Sequence, residues 1–295
     1  MNSQSTAMRE SSSDWQVNES RGIASAVPIR RFYWSVRREL WENHSIYITP
    51  LAVAALAVLG YLILTLGVPV PMPDPRLLDE PYSMAAAFVV GIFYSLDTLH
   101  DERRDRSILF WKSLPVSDLT TVLSKASIPL LVLPLFSFAI AAATEVIEMG
   151  LTSVVRPAGD LSVATPSTSV FRISLGLLLY HTVTVNVLWH APICSWLLLV
   201  SGWARRATFL WAALPWIAIC AVEKIAFNTS YCAAMLRDRF VGGPEAVQGT
   251  GRFVDALSRF TPGRFLSSPS LWIGLVVAAV FLTASVRLRR YQGAI

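Results

Sequence analysis

The sequence predicts an all-α, polytopic integral membrane protein. It would have six transmembrane helices, both termini in the cytoplasm, and an amphipathic interfacial helix before the first span. Three observations predict it. Apolar residues make up 54% of the 295 and charged residues only 15%, whereas soluble domains carry roughly 25% charged residues. Six apolar runs approach the ~20 residues that a bilayer-crossing helix needs. With the N-terminus inside, sixteen Lys and Arg fall on the cytoplasmic side and eight outside, with Lys224 left in the membrane, as the positive-inside rule requires.

Residues 1–28 are Ser-rich and polar without an apolar core, so they read as a disordered cytoplasmic tail rather than a signal peptide. The membrane domain follows as 29–295. Ile29, Phe32, Tyr33, Val36 and Leu40 recur at helical spacing, with Arg30, Arg31, Arg37, Arg38 and Glu42 beside or opposite them. A basic amphipathic helix ending in Trp41 is expected there, lying in the inner interface; the plainer alternative is a positively charged flank.

The spans are placed near 46–68, 82–99, 127–147, 173–201, 207–227 and 270–286. Asp97 interrupts the end of the second, so that helix is expected to run past the membrane surface and carry His100 and Glu102 into the cytoplasm. Residues 69–81 hold Pro69, Pro71, Pro73 and Pro75 and predict an irregular outer link. Residues 228–269 are too long and apolar for a plain loop; short interfacial helices are expected around 231–236 and 253–257. Pro192 and Pro215 predict kinks. The three cysteines, Cys194, Cys220 and Cys232, are odd in number and imply no disulfide framework. Asn228-Thr229-Ser230 matches a glycosylation sequon. No basic stripe lies on a soluble domain, which argues against nucleic acid as a partner.

The loop between the second and third spans concentrates the chemistry. Asp101-Glu102-Arg103-Arg104-Asp105-Arg106 precedes Ile108-Leu109-Phe110-Trp111, then Leu114-Pro115-Val116-Ser117-Asp118 and Lys125. Arg103, Arg104 and Arg106 could pair with acidic edges of a partner, and Phe110 and Trp111 are interface-anchor residue types. Pro115 ends one helix, and Ser117 or Asp118 can cap the next. Read from the residues alone, the aromatic pair serves equally well as an interfacial anchor.

With Tyr94-Ser95-Leu96-Asp97 ahead of it, this stretch resembles the second-to-third-span loop of ABC-2 type transporter permeases. The resemblance covers the loop closely and the six-span layout generally. It implies a coupling loop in which Glu102, Arg103, Arg104, Arg106, Phe110, Trp111, Leu114 and Pro115 dock onto an ABC ATPase. It further implies two ATPase copies carrying ATP and Mg, and a second permease copy, either identical or related. An amphipathic substrate would move outward across a bacterial plasma (inner) membrane. The chain itself would bind no cofactor: it has no Gly-x-x-x-x-Gly-Lys-Ser/Thr stretch to cradle ATP phosphates.

Polar residues inside the spans are costly and usually face a bundle interior or a water-filled path. Glu145, His181, Asn186, His190 and Glu223 are therefore candidates to line a path or a permease–permease interface. The alternative for Glu148 and Lys224 is snorkelling at the outer surface. His181 and His190, nine apart, would sit on opposed or offset faces of one α-helix, and no His-Glu-x-x-His pattern occurs, so neither a metal site nor catalysis is expected. A rival reading is a membrane protein that transports nothing and tethers a partner, or confers immunity, through the 101–118 loop.

Overall fold

The computed structural model describes residues 30–65, 79–105, 117–155, 168–241 and 262–291, and every regular element among them is helical. An amphipathic helix over 30–42 (α1) opens the described chain. After it come α2 (Ser45–Thr65), α3 (Asp79–Arg104) and α4 (Asp118–Ser127). A π-helical segment, Ile128–Val132, joins α4 to α5 (Leu133–Val155). A second, Thr182–Trp189, joins α6 (Thr168–His181) to α7 (Ala191–Trp203). The remainder is α8 (Thr208–Phe227), α9 (Tyr231–Val241), the single turn α10 (Pro262–Leu266) and α11 (Pro269–Tyr291).

Five helical stretches are long and apolar enough to cross a membrane: Ser45–Ile63, Asp118–Leu151, Phe171–Trp189, Thr208–Phe227 and Pro269–Tyr291. The expected second span is not among them. At 26 residues α3 has the length, but Asp79 and Glu80 at one end and the run from Asp97 to Arg104 at the other dilute its apolar centre. It also begins before the expected end of the Pro-rich link, with Pro81 in its first turn, where a missing N–H costs nothing.

The expected fourth span is two helical pieces that meet at His190. Proline and threonine explain where the regular α pattern fails. Pro129 and Pro134 each lack an N–H, in or next to the first π segment. In the second, the Thr182 and Thr184 hydroxyls donate to the carbonyls of Leu178 and Tyr180, both at 2.8 Å, drawing these acceptors from the backbone ladder. The segment closes with the His190 N–H on the Val185 carbonyl at 3.1 Å. Of the two prolines expected to kink spans, Pro192 follows that break, whereas α8 runs unbroken through Pro215.

Helix α7 is the centre of the bundle, packed between α11 and α3; α2 lies against α3 and α5. The buried core runs from Ile46, Ala87, Ile128 and Leu133 through Leu99, Ala126 and Leu198 to Trp189, Phe265 and Leu271. Helix α8, by contrast, turns Phe209, Ile217 and Ile225 outward. Large apolar side chains on the outside of a helix of this length suit lipid, not water.

Candidate functional site

Both helices that flank the 106–116 stretch end in one buried ion cluster. Lys125, in the last turn of α4, is 2% exposed. Its Nζ donates to Glu39 Oε1 at 2.8 Å and to Thr98 Oγ1 at 2.8 Å, and stands 3.2 Å from Glu102 Oε1. Arg289, near the end of α11, donates through Nη1 to Glu102 Oε2, and its Nε is 3.3 Å from Asp118 Oδ1. Tyr94 donates its hydroxyl to Glu39 Oε2 at 2.9 Å. Glu39, Glu102, Lys125 and Arg289 are all buried, two carboxylates against two cations, so their charges cancel.

The cluster gathers four separate parts of the chain: α1, the end of α3, α4 and the end of α11. Burial alone would raise the Glu102 carboxyl; the Lys125 ammonium and the Arg289 guanidinium outweigh it and hold it below the ordinary carboxylate range. A second set of bonds fixes the same end of α3 to α7. The N–H groups of Leu99 and His100 donate to Ser201 Oγ at 3.1 and 3.0 Å, and Arg103 Nη1 donates to the Gly202 carbonyl at 2.6 Å.

Of the residues expected to dock a partner, Glu102 and Arg103 are thus turned into the protein, each 7% exposed. The helix carries on past Asp97 as expected, but its register points these two at α11 and α7. Arg104 is exposed. Arg106, Phe110, Trp111, Leu114 and Pro115 lie outside the described residues. The expected cap is present: Ser117 Oγ accepts the Thr120 N–H at 3.1 Å and starts α4. Glu39 and Arg289 were not among the residues expected at a site. Each had a legible signal, since Glu39 falls on the Val36–Leu40 face of α1, and Arg289 continues the inward stripe Leu271, Gly274, Ala278, Leu282 and Ser285 of α11.

The intramembrane candidates divide. The π segment changes the helical phase, so the nine residues from His181 to His190 span about two wide turns instead of two and a half. His181 and His190 bound that segment, one at each end. His190 is buried and stacks on Phe88, with ring centroids 4.1 Å apart; neither ring nitrogen makes a well-formed hydrogen bond, the Phe240 main chain offering a marginal one. Asn186 lines a small cavity with Ala87, Phe88, Pro129, Leu133 and Pro134, where the two π segments meet. Glu145 accepts from the Ser174 hydroxyl, tying α5 to α6. No group of three or more metal-ligating side chains gathers among the described residues.

Glu223 stands apart from that interior. Its carboxylate accepts from the Thr229 hydroxyl at 2.7 Å and from the N–H groups of Tyr231 and Cys232 at 2.6 and 2.7 Å. It therefore caps α9, which folds back along α8 after a turn at Asn228 with φ of 51°. The same fold-back joins Cys220 to Cys232 in a disulfide, with Cα atoms 5.4 Å apart. This corrects the expectation from cysteine number: two of the three pair across the hairpin, and Cys194 is left free and buried. Further along α9, Arg239 lies over the Trp189 ring at 4.1 Å and donates to the Trp189 and Ser270 carbonyls. Trp189 Nε1 returns a bond to the Asp238 carbonyl at 3.0 Å. The expected helix near 231–236 is present and longer; the one near 253–257 lies outside the described residues.

Compared with known proteins, the chain matches no family model, no curated protein and no solved structure.

Proposed function

We propose that this chain is the membrane-spanning subunit of an ABC-2 type exporter, with six spans and both termini in the cytoplasm. Two copies, or one copy and a related permease, enclose a path. A separate ATPase pair binds ATP and Mg, docks on the 101–118 loop and drives an amphipathic substrate outward.

One observation carries the reading. The two helices that flank the loop are bound into the same buried cluster as α1 and the end of α11. A loop that only anchored in the interface would not need its two stems bolted together, because an anchor bears no directional load. A loop that receives a push from a partner does need it: a rigid base turns displacement at the tip into movement of whole helices. The bond from Arg103 to Gly202 extends that base to α7, the central helix. Exposed Arg104 and the aromatic pair Phe110 and Trp111 supply the charged and apolar contacts of such a docking face.

The test is affinity purification of the tagged full chain from its native membrane. An ATP-hydrolysing protein is expected to co-elute in stoichiometric amount, and Phe110→Ala/Trp111→Ala is expected to lose it while the chain remains folded. If the wild type brings down no ATPase, the exporter reading falls and a tethering or immunity role replaces it. If the double variant retains the ATPase, the docking face lies elsewhere on the chain.

A further inference from the structure

Helix α1 has two faces, and among the described residues only the inner one packs against the rest of the protein. Val36 and Leu40 pack on the core beside Ile46, and Glu39 enters the ion cluster. On the outer face Arg30, Trp34, Arg37 and Trp41 follow one another at helical spacing, all exposed. Trp34 is 54% and Trp41 69% exposed, with Tyr33 at 57% alongside. The Arg37 guanidinium lies between the two indoles, 5.1 Å from the Trp34 ring and 5.4 Å from that of Trp41.

We propose that this outer face binds the acidic phospholipid headgroups of the bilayer that α2 enters. Position is the first argument. Only Asn43 and His44 separate α1 from Ser45, where the first membrane-length helix starts, so the stripe is held at the depth of the headgroups. Charge is the second. The carboxylates of α1 are already engaged among the described residues, Glu39 by Lys125 and Glu42 by Arg38 at 2.7 Å, which leaves Arg30 and Arg37 facing outward as net positive charge. Residue type is the third: Trp and Tyr favour the membrane–water interface, and a guanidinium offers paired donors to phosphate. Its position between two rings holds Arg37 in a limited set of orientations before a phosphate arrives. Exposed Ile48 and Leu51 carry the outward apolar surface on into α2. Because Glu39 projects from the opposite side of the same helix, lipid bound at the stripe steadies the ion cluster as well.

The experiment uses the full chain in detergent, titrated with phosphatidylglycerol or with phosphatidylcholine of the same acyl chains, and reads the thermal unfolding midpoint. Phosphatidylglycerol is expected to raise the midpoint and phosphatidylcholine to leave it nearly unchanged. Arg30→Gln/Arg37→Gln is expected to keep the midpoint found in phosphatidylcholine. It should raise the half-saturating phosphatidylglycerol concentration, by about fivefold for each arginine removed. Arg290→Gln, which removes an exposed cation at the C-terminal end of α11 that is not part of the α1 stripe, is expected to behave as wild type. Equal responses to the two lipids, or a wild-type response from the double variant, would overturn the proposal. A full response to soluble glycerophosphate would also overturn it, by showing a free-phosphate site. So would a double variant that loses a co-purifying protein while its lipid response is unchanged, because the stripe would then face that protein. A lower midpoint for the double variant in phosphatidylcholine would make the arginines structural and would likewise sink the idea.

Discussion

Lys125 is an ammonium with three donors in a site that water barely reaches, and Glu39, Thr98 and Glu102 surround it. A charge buried this way is tolerated because its neighbours replace the lost hydration, so removing one member is worse than never having had the set. Lys125→Met is expected to lower stability by about 3–5 kcal/mol, because Glu39 keeps its charge without a cation. Adding Glu39→Gln should recover part of that loss, and denaturation midpoints of the two singles and the double make the cycle that checks it. If the two losses simply add, the pair is not coupled. Acid acts on the same cluster through Glu102. Its folded-state carboxyl is held below the ordinary value of about 4.3, so its contribution is present in full above that value and is lost as pH falls through the lower folded one. The midpoint should therefore be insensitive to Glu102 from neutral pH down to about 4.5 and drop below it. Glu102→Gln, less stable at pH 7, should show a shallower acid limb.

The α8–α9 hairpin shows what single elements add and how far they can be read. Glu223, the 220–232 disulfide and Arg239 hold a short helix back against the bundle. The two cysteines are twelve positions apart in the chain, and a bridge closing so short a loop stabilises by about 2–4 kcal/mol. Cys220→Ala/Cys232→Ala is expected to lose that amount. A maleimide count on the denatured wild-type chain should find one thiol before reduction and three after. Gly274 is the other support of this end. A Cβ there would stand 2.7 Å from Arg239 Nη2 and 2.9 Å from Nη1, and the guanidinium is pinned by Trp189 and Ser270. Gly274→Ala should cost about 1–3 kcal/mol by overpacking, and should cost almost nothing in an Arg239→Ala background. Periodicity made α1 legible, the Ser117 cap α4, and a membrane-length apolar run α11, because all three are local signals. The disulfide and the Arg239–Trp189 contact were not legible, since both depend on α9 turning back at Asn228, and nothing in the spacing of 220 and 232 specifies that turn. The π segment of 182–189 escaped for a related reason: Thr182 and Thr184 are ordinary in a membrane helix, and only their bonds to Leu178 and Tyr180 reveal the changed phase.

At the scale of the molecule, the cluster and the disulfide belong to chemically different surroundings. The cluster end carries the basic flanks: Arg30 and Arg37 on α1, Arg104 beyond Glu102, Arg205 and Arg206 after α7, and Arg287 and Arg290 at the end of α11. By the positive-inside rule, positive charge of this density predicts that this end faces the cytoplasm. The disulfide hairpin follows α8 away from Arg205 and Arg206, and disulfides persist where the surroundings are oxidising. Two unrelated kinds of evidence, charge and redox chemistry, therefore predict the same orientation, and one helix, α8, connects them. With Cys220 and Cys232 replaced by alanine, Tyr231→Cys is expected to react with a membrane-impermeant maleimide added to intact cells. Glu42→Cys and Arg290→Cys should stay protected until the membrane is inverted. The opposite pattern would put the ion cluster outside, where no ATPase could reach the loop between α3 and α4. Labelling of all three from one side would instead mean that α11, the membrane-length helix described between Tyr231 and Arg290, does not cross, and the six-span arrangement would fail with it.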